Sequence, residues 1–97
     1  MARFDVHRTG DGLVVDVQSD LIDVLSTRVV VPLIPPDRAP KPARRLNPVL
    51  EVADGPVVFV AQYVAAMPAA ALGPPVESLA HAQDAIRDAL DMLFLGF

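Results

Sequence analysis

Arg3-Phe4-Asp5-Val6-His7-Arg8-Thr9-Gly10-Asp11-Gly12-Leu13-Val14-Val15-Asp16-Val17-Gln18 reads as a β-hairpin. Arg3 to Arg8 alternates charged and apolar residues with period two, the pattern of a half-buried strand. Thr9 to Gly12 is turn chemistry, and Leu13 to Gln18 returns as a second strand. Ser19-Asp20-Leu21-Ile22-Asp23 leaves the hairpin as a loop. Arg28-Val29-Val30-Val31-Pro32-Leu33-Ile34 is β-branched and continuous, as in a strand covered on both faces. Pro32 has no ladder donor, so that point is expected at an edge or a bulge.

Further along, Pro35 to Pro42 holds four prolines in eight residues and is loop. Pro48 to Val52 and Val57 to Ala61 are strands joined at Asp54-Gly55. One or two short strands lie between Val64 and Leu72, and Pro74-Pro75 is expected to end the β part. Then the period changes. Ala82, Ala85, Ile86, Ala89, Leu90, Leu93 and Phe94 recur at helical spacing, and Gln83, Asp84, Arg87, Asp88 and Asp91 fill the opposite face. Gly96 is placed to stop the helix. The fold class is therefore mainly β with one C-terminal α-helix, built as a small barrel or sheet in a single domain over 1–97.

Composition narrows the function. The chain has 97 residues and is 53% hydrophobic, a surplus that small proteins bury between subunits, so a homodimer is expected. It has no cysteine, which removes disulfides, thiolate metal sites and a thiol nucleophile and fits a reducing cytoplasm. The alternating start lacks the apolar core of a signal peptide. Pro56 to Val76 carries no charge and is long enough to span a membrane, but Pro68 and Gly73-Pro74-Pro75 break it, so it reads as buried strands. A net charge of −4 argues against direct nucleic-acid binding. The charge is uneven: Arg38, Lys41, Arg44 and Arg45 make a basic loop, able to dock an acidic peptide or simply to be solvated.

Catalytic machinery is not apparent. His7 and His81 are the only histidines, one in the first strand and one opening the helix. Ser19, Ser26 and Ser78 sit in no nucleophile motif. Asp20 and Asp23 sit close together in a loop, a spacing that says little about metal binding, and no glycine-rich phosphate loop appears. No enzyme activity, cofactor or metal is expected.

One place breaks the helix pattern. Asp84, Asp88, Asp91 and Leu95 follow one another down the charged face, with Met92 beside them, and Phe97 follows Gly96. These apolar residues on a polar stripe form either a contact tip or a fold-back onto the protein's own sheet or a twin subunit. Asp91 lies where a carboxylate opposes the helix dipole.

Two stretches go beyond a generic β protein. Val15-Asp16-Val17-Gln18-Ser19-Asp20-Leu21-Ile22-Asp23 resembles the V-D-V-Q-S-D-I-I-D run of the CcdB family, and Arg28-Val29-Val30-Val31-Pro32-Leu33 is similar to its R-M-V-I-P-L. Leu79-Ala80-His81, Asp84-Ala85-Ile86 and Ala89 to Phe97 resemble the family's L-S-H…D-I…A-I-N-L-M-F-W-G-I ending. Asn47-Pro48-Val49 and Ala65-Ala66-Met67-Pro68 match Y-P-V and A-S-V-P in order.

The resemblance implies an SH3-like barrel, an antiparallel sheet plus a small second sheet capped by the helix, and a cytoplasmic homodimer. It implies a toxin that enters the A subunit of DNA gyrase and traps the cleaved-DNA complex. A cognate antitoxin would neutralise it and help repress the operon. The family's contact residues map onto Leu95, Gly96 and Phe97, with Leu21, Ile22 and Asp91 as neighbouring positions. The family's Trp is Leu95 here, its terminal Ile is Phe97 and its Asn is Asp91. A relative that only binds antitoxin and represses its operon, and a MazF-like endoribonuclease on the same barrel, are the competing readings.

Overall fold

The computed structural model describes residues 2–10 and 12–96; Asp11 of the expected turn and Phe97 of the expected tip lie outside the described residues. Strands β1 (Asp5–Thr9) and β2 (Gly12–Asp16) form the expected hairpin, with Val6 opposite Val15 and Thr9 opposite Gly12. β1 starts two residues later than the alternation suggests. Phe4 holds a left-handed backbone, φ 73°, which is not extended; its N–H donates to the Asp16 carbonyl and its own carbonyl accepts from Leu79 N–H. A short 3-10 helix, Asp20–Ile22, follows β2.

β3 (Thr27–Ile34) is the spine. One side pairs with β2 along Leu13 to Asp16. The other side pairs first with β6 (Ala65–Pro68) over Thr27 to Val30, then with β5 (Gly55–Phe59) at Leu33 and Ile34. Pro32 is thus neither at an edge nor in a bulge. Its carbonyl accepts from Val60 N–H on the β5–β6 side, so its missing donor faces the gap where β3 changes partner and leaves no ladder bond unmade.

β4 (Val49–Val52) pairs with β5 around Asp54-Gly55, where Gly55 takes φ 119°. The expectation that Pro74-Pro75 ends the β part is corrected. β7 (Pro75–Ser78) pairs with β1, with a register shift between Val6 and His7. Pro75 fits because β7 is an edge strand, where a ladder donor is not needed on the open side.

The strand order is β4-β5-β3-β2-β1-β7, with β6 attached to β3, so the small strand group and the main group are one connected, curled antiparallel sheet. The two edges approach each other. Glu77 of β7 accepts the Ala53 N–H just beyond β4 at 3.0 Å, and Arg8 of β1 reaches Asp54 at 3.6 Å. Side chains therefore bridge what no ladder closes, giving a barrel-like fold.

Helix α1 (Gln83–Leu95) closes the concave side. Val6, Val15, Val31, Leu33, Phe59, Leu79, Ile86 and Ala89 share one buried cluster, with Leu90 and Leu93 packed against it. Burying one such Ile side chain contributes about 1.5–3 kcal/mol. The other face of β2 and β3 is also covered. Val14 and Val30 pack with Leu72 in a second, smaller cluster, which is why these strands read as continuous apolar runs. Buried His7 sits opposite Val14 and bonds through Nδ1 to the Gly73 carbonyl at 2.7 Å, so it is structural. The uncharged stretch 56–76 is divided among β5, two 3-10 turns, β6 and the start of β7. Among the described residues no helix is long and apolar enough to cross a membrane.

Candidate functional site

The end of α1 is built by a narrow packing stripe and a firm stop. Ile86 and Ala89 are buried and Leu90 and Leu93 half-buried, one face at helical spacing. At about 100° per residue, Ala85 and Phe94 fall roughly a quarter turn to either side of that stripe, and Leu95 falls opposite it. The assignment of Ala85 and Phe94 to the core side is therefore corrected: both are exposed, Phe94 to 67%. Leu95 is 59% exposed on the face carrying Asp84, Asp88 and Asp91. Gly96 adopts φ 78°, and its N–H donates to the carbonyls of Asp91 (3.2 Å) and Met92 (3.1 Å). That left-handed cap fixes the last turn and holds Phe94 and Leu95 out in water.

A second apolar surface lies on the loop after β2. Leu21 is 93% exposed, and Ile22, Val24 and Leu25 are exposed with it. The 3-10 turn that carries Leu21 and Ile22 is capped locally: Ser19 Oγ accepts from Leu21 N–H at 3.2 Å, and the Ser19 carbonyl from Ile22 N–H at 3.2 Å. No residue from Asp20 to Thr27 is buried.

Beneath this loop is a buried polar network on the second face of the sheet. Asp16 and Arg28 are both essentially inaccessible and lie on β2 and β3 with Nε to Oδ2 at 2.6 Å. The Asp16 hydrogen bond raises the Arg28 guanidinium above its ordinary range, against the opposing effect of burial. Asp16 Oδ1 also accepts from Gln18 N–H, 3.0 Å. Among the described residues Arg28 Nη2 has no hydrogen-bond partner; it lies 3.9 Å from Asp20 Oδ1, which itself accepts from Arg3 N–H at 2.9 Å.

The expected residues therefore fall into two groups. Asp91, Leu95 and Gly96 share the last turn of α1, and Leu21 and Ile22 share the loop. No hydrogen bond or ion pair among the described residues joins the two groups. The basic loop is partly committed: Arg45 is paired to Asp88 of α1 at 2.7 Å, while Arg38 lines a shallow cleft with Leu13, Leu33 and Pro35. Reasoning from sequence missed Phe94, Val24 and Leu25. The run Leu21-Ile22-Asp23-Val24-Leu25 carried a signal, four large apolar residues in five with neither strand nor helix period.

These features define a barrel-like β protein that presents apolar side chains from a capped helix end and a braced loop. The family model described as CcdB protein matches residues 3–96, nearly the whole chain. The chain belongs to the CcdB family, a family of toxin–antitoxin toxins.

Proposed function

We propose that this protein is the toxin of a toxin–antitoxin pair that docks on the A subunit of DNA gyrase and traps the enzyme on cleaved DNA. It acts by binding, not by catalysis, as a cytoplasmic homodimer, and a cognate antitoxin neutralises it. The observation that carries this reading is the helix end. The resemblance maps Leu95 and Gly96 onto the family's contact positions, the left-handed Gly96 caps their turn, and Leu95 stands 59% exposed. Large apolar anchors of this kind contribute about 2 kcal/mol or more each when desolvated in a partner. Leu21, Ile22 and Asp91 supply the neighbouring contacts, and Phe97 joins the proposed contact residues on the family resemblance alone.

The test is induced expression with and without added gyrase A subunit, scored for growth arrest and cleaved plasmid. Arrest with cleavage, relieved by deleting Leu95 to Phe97, is the expected result. Growth without cleavage, with antitoxin still bound, favours the second reading, a family member that binds antitoxin and represses its operon. That reading draws on one observation, Leu95 in place of a Trp that stacks on cations and aromatics as Leu does not.

A further inference from the structure

Burial does not hold the Leu21–Leu25 loop, because none of its side chains is buried. Hydrogen bonds must do so, and they differ in strength. The Ser19 cap and the Asp20–Arg3 bond are exposed and compete with water. Gln18 is different. It is 4% exposed, and its amide spans two elements: Oε1 accepts from Val29 N–H of β3 at 3.1 Å, and Nε2 donates to the Ile22 carbonyl at 2.9 Å. Its own N–H is held by Asp16, the carboxylate that binds Arg28. The loop end is thereby tied through one buried amide to β3, the strand paired on both sides. Breaking that tie would strand a buried donor, so the tie is costly to open.

We infer that Gln18 is the positioning residue of the Leu21–Ile22 contact surface. It touches no partner; it fixes the loop so that exposed apolar side chains are presented without an ordering cost at the moment of binding. The binding arm of this inference rests on the gyrase reading, whereas the loop's rigidity does not.

Two variants separate the roles. Gln18→Met removes both side-chain bonds at similar volume. Gln18→Glu keeps the acceptor for Val29 N–H and loses the donor to Ile22. In the free protein, backbone NMR order parameters of Leu21, Ile22 and Asp23 are expected to fall from about 0.85 to below about 0.6 in both variants, with β3 unchanged. Binding of purified gyrase A subunit should weaken about five- to tenfold in each, mostly through faster dissociation. In a Leu21→Ala/Ile22→Ala background the same change at Gln18 should cost no further affinity. Unchanged loop order parameters overturn the inference, as does a binding loss that persists in that background. If the wild type does not bind gyrase A subunit, the functional reading fails, and the order parameters alone decide the role of Gln18.

Discussion

Arg45 and Asp88 clasp the loop before β4 to the middle of α1, Nη2 to Oδ1 at 2.7 Å and Nε to Oδ2 at 3.0 Å. The fork is bidentate, which gives it a fixed geometry, and Arg45 has a left-handed backbone, φ 63°. Asn47 braces the same loop: its side chain accepts from Ala43 N–H at 2.9 Å and donates to Gln62 Oε1 at 2.7 Å. The pair holds Asp88 below the usual carboxylate range, first through the hydrogen bond and then through charge, and raises Arg45. A carboxylate depressed in the folded state adds stability that is present above its unfolded value and lost as pH falls through its folded value. The melting temperature of the wild type should therefore exceed that of Asp88→Asn at neutral pH and converge on it in the acidic range. Added salt should narrow the neutral gap. A difference that stays constant as the medium is acidified removes the clasp from the stability of α1.

The buried Asp16–Arg28 pair makes a different prediction. Asp16→Asn leaves the buried guanidinium with only the exposed Asp20 carboxylate, 3.9 Å from Nη2, and should cost about 3 kcal/mol. Asp16→Leu with Arg28→Met removes both charges and should cost distinctly less, because no charge is left stranded. Urea midpoints at neutral pH compare the two. Equal losses would mean that the ion pair, rather than the desolvation of its members, is what stabilises the sheet there.

Gly96 gives the third prediction. A side chain at φ 78° costs about 1–2 kcal/mol, and among the described residues no other part of the chain lies within 4 Å of where its Cβ would sit. Gly96→Ala should lower stability by that amount and fray the turn carrying Leu95, seen as a small loss of helical circular dichroism. A fully stable Gly96→Ala would show that the cap does not set the helix end.

The parts of this fold legible in the sequence are those with local signals. The β1–β2 hairpin, β3, the Asp54-Gly55 turn, the stripe of α1 and the Gly96 stop follow from period and turn chemistry within a few residues. The parts that were not legible depend on partners distant in the chain. β7 exists because Pro75 to Ser78 meets β1, and two adjacent prolines mask it. Pro32 is tolerated because β3 changes partner there, which no run of residues states. The same holds for the site. Leu95 on the charged face is visible from spacing, but the exposure of Phe94 depends on how narrow the packed stripe is. Gln18, Asp16 and Arg28 become a scaffold only once the β2–β3 register sets Asp16 opposite Val30. A buried opposite-charge pair on consecutive apolar strands is the trace such a scaffold leaves in a sequence.

Position 95 separates contact from stability. In the free protein Leu95 stands 59% exposed, so its replacement should change folding stability by no more than about 0.5 kcal/mol. On the proposed gyrase reading Leu95 is an anchor, and truncation of such an anchor costs about 2 kcal/mol or more, roughly thirtyfold in affinity. Leu95→Asp adds a fourth carboxylate to the face of Asp84, Asp88 and Asp91 and should abolish both gyrase A subunit binding and growth arrest while the melting temperature holds. Leu95→Trp offers a larger ring at the same exposed position, and its added contact area should tighten binding about tenfold, read as slower dissociation. If Leu95→Asp binds gyrase A subunit as the wild type does, then the helix end is not the anchor, and the Leu21–Leu25 surface must carry the contact instead.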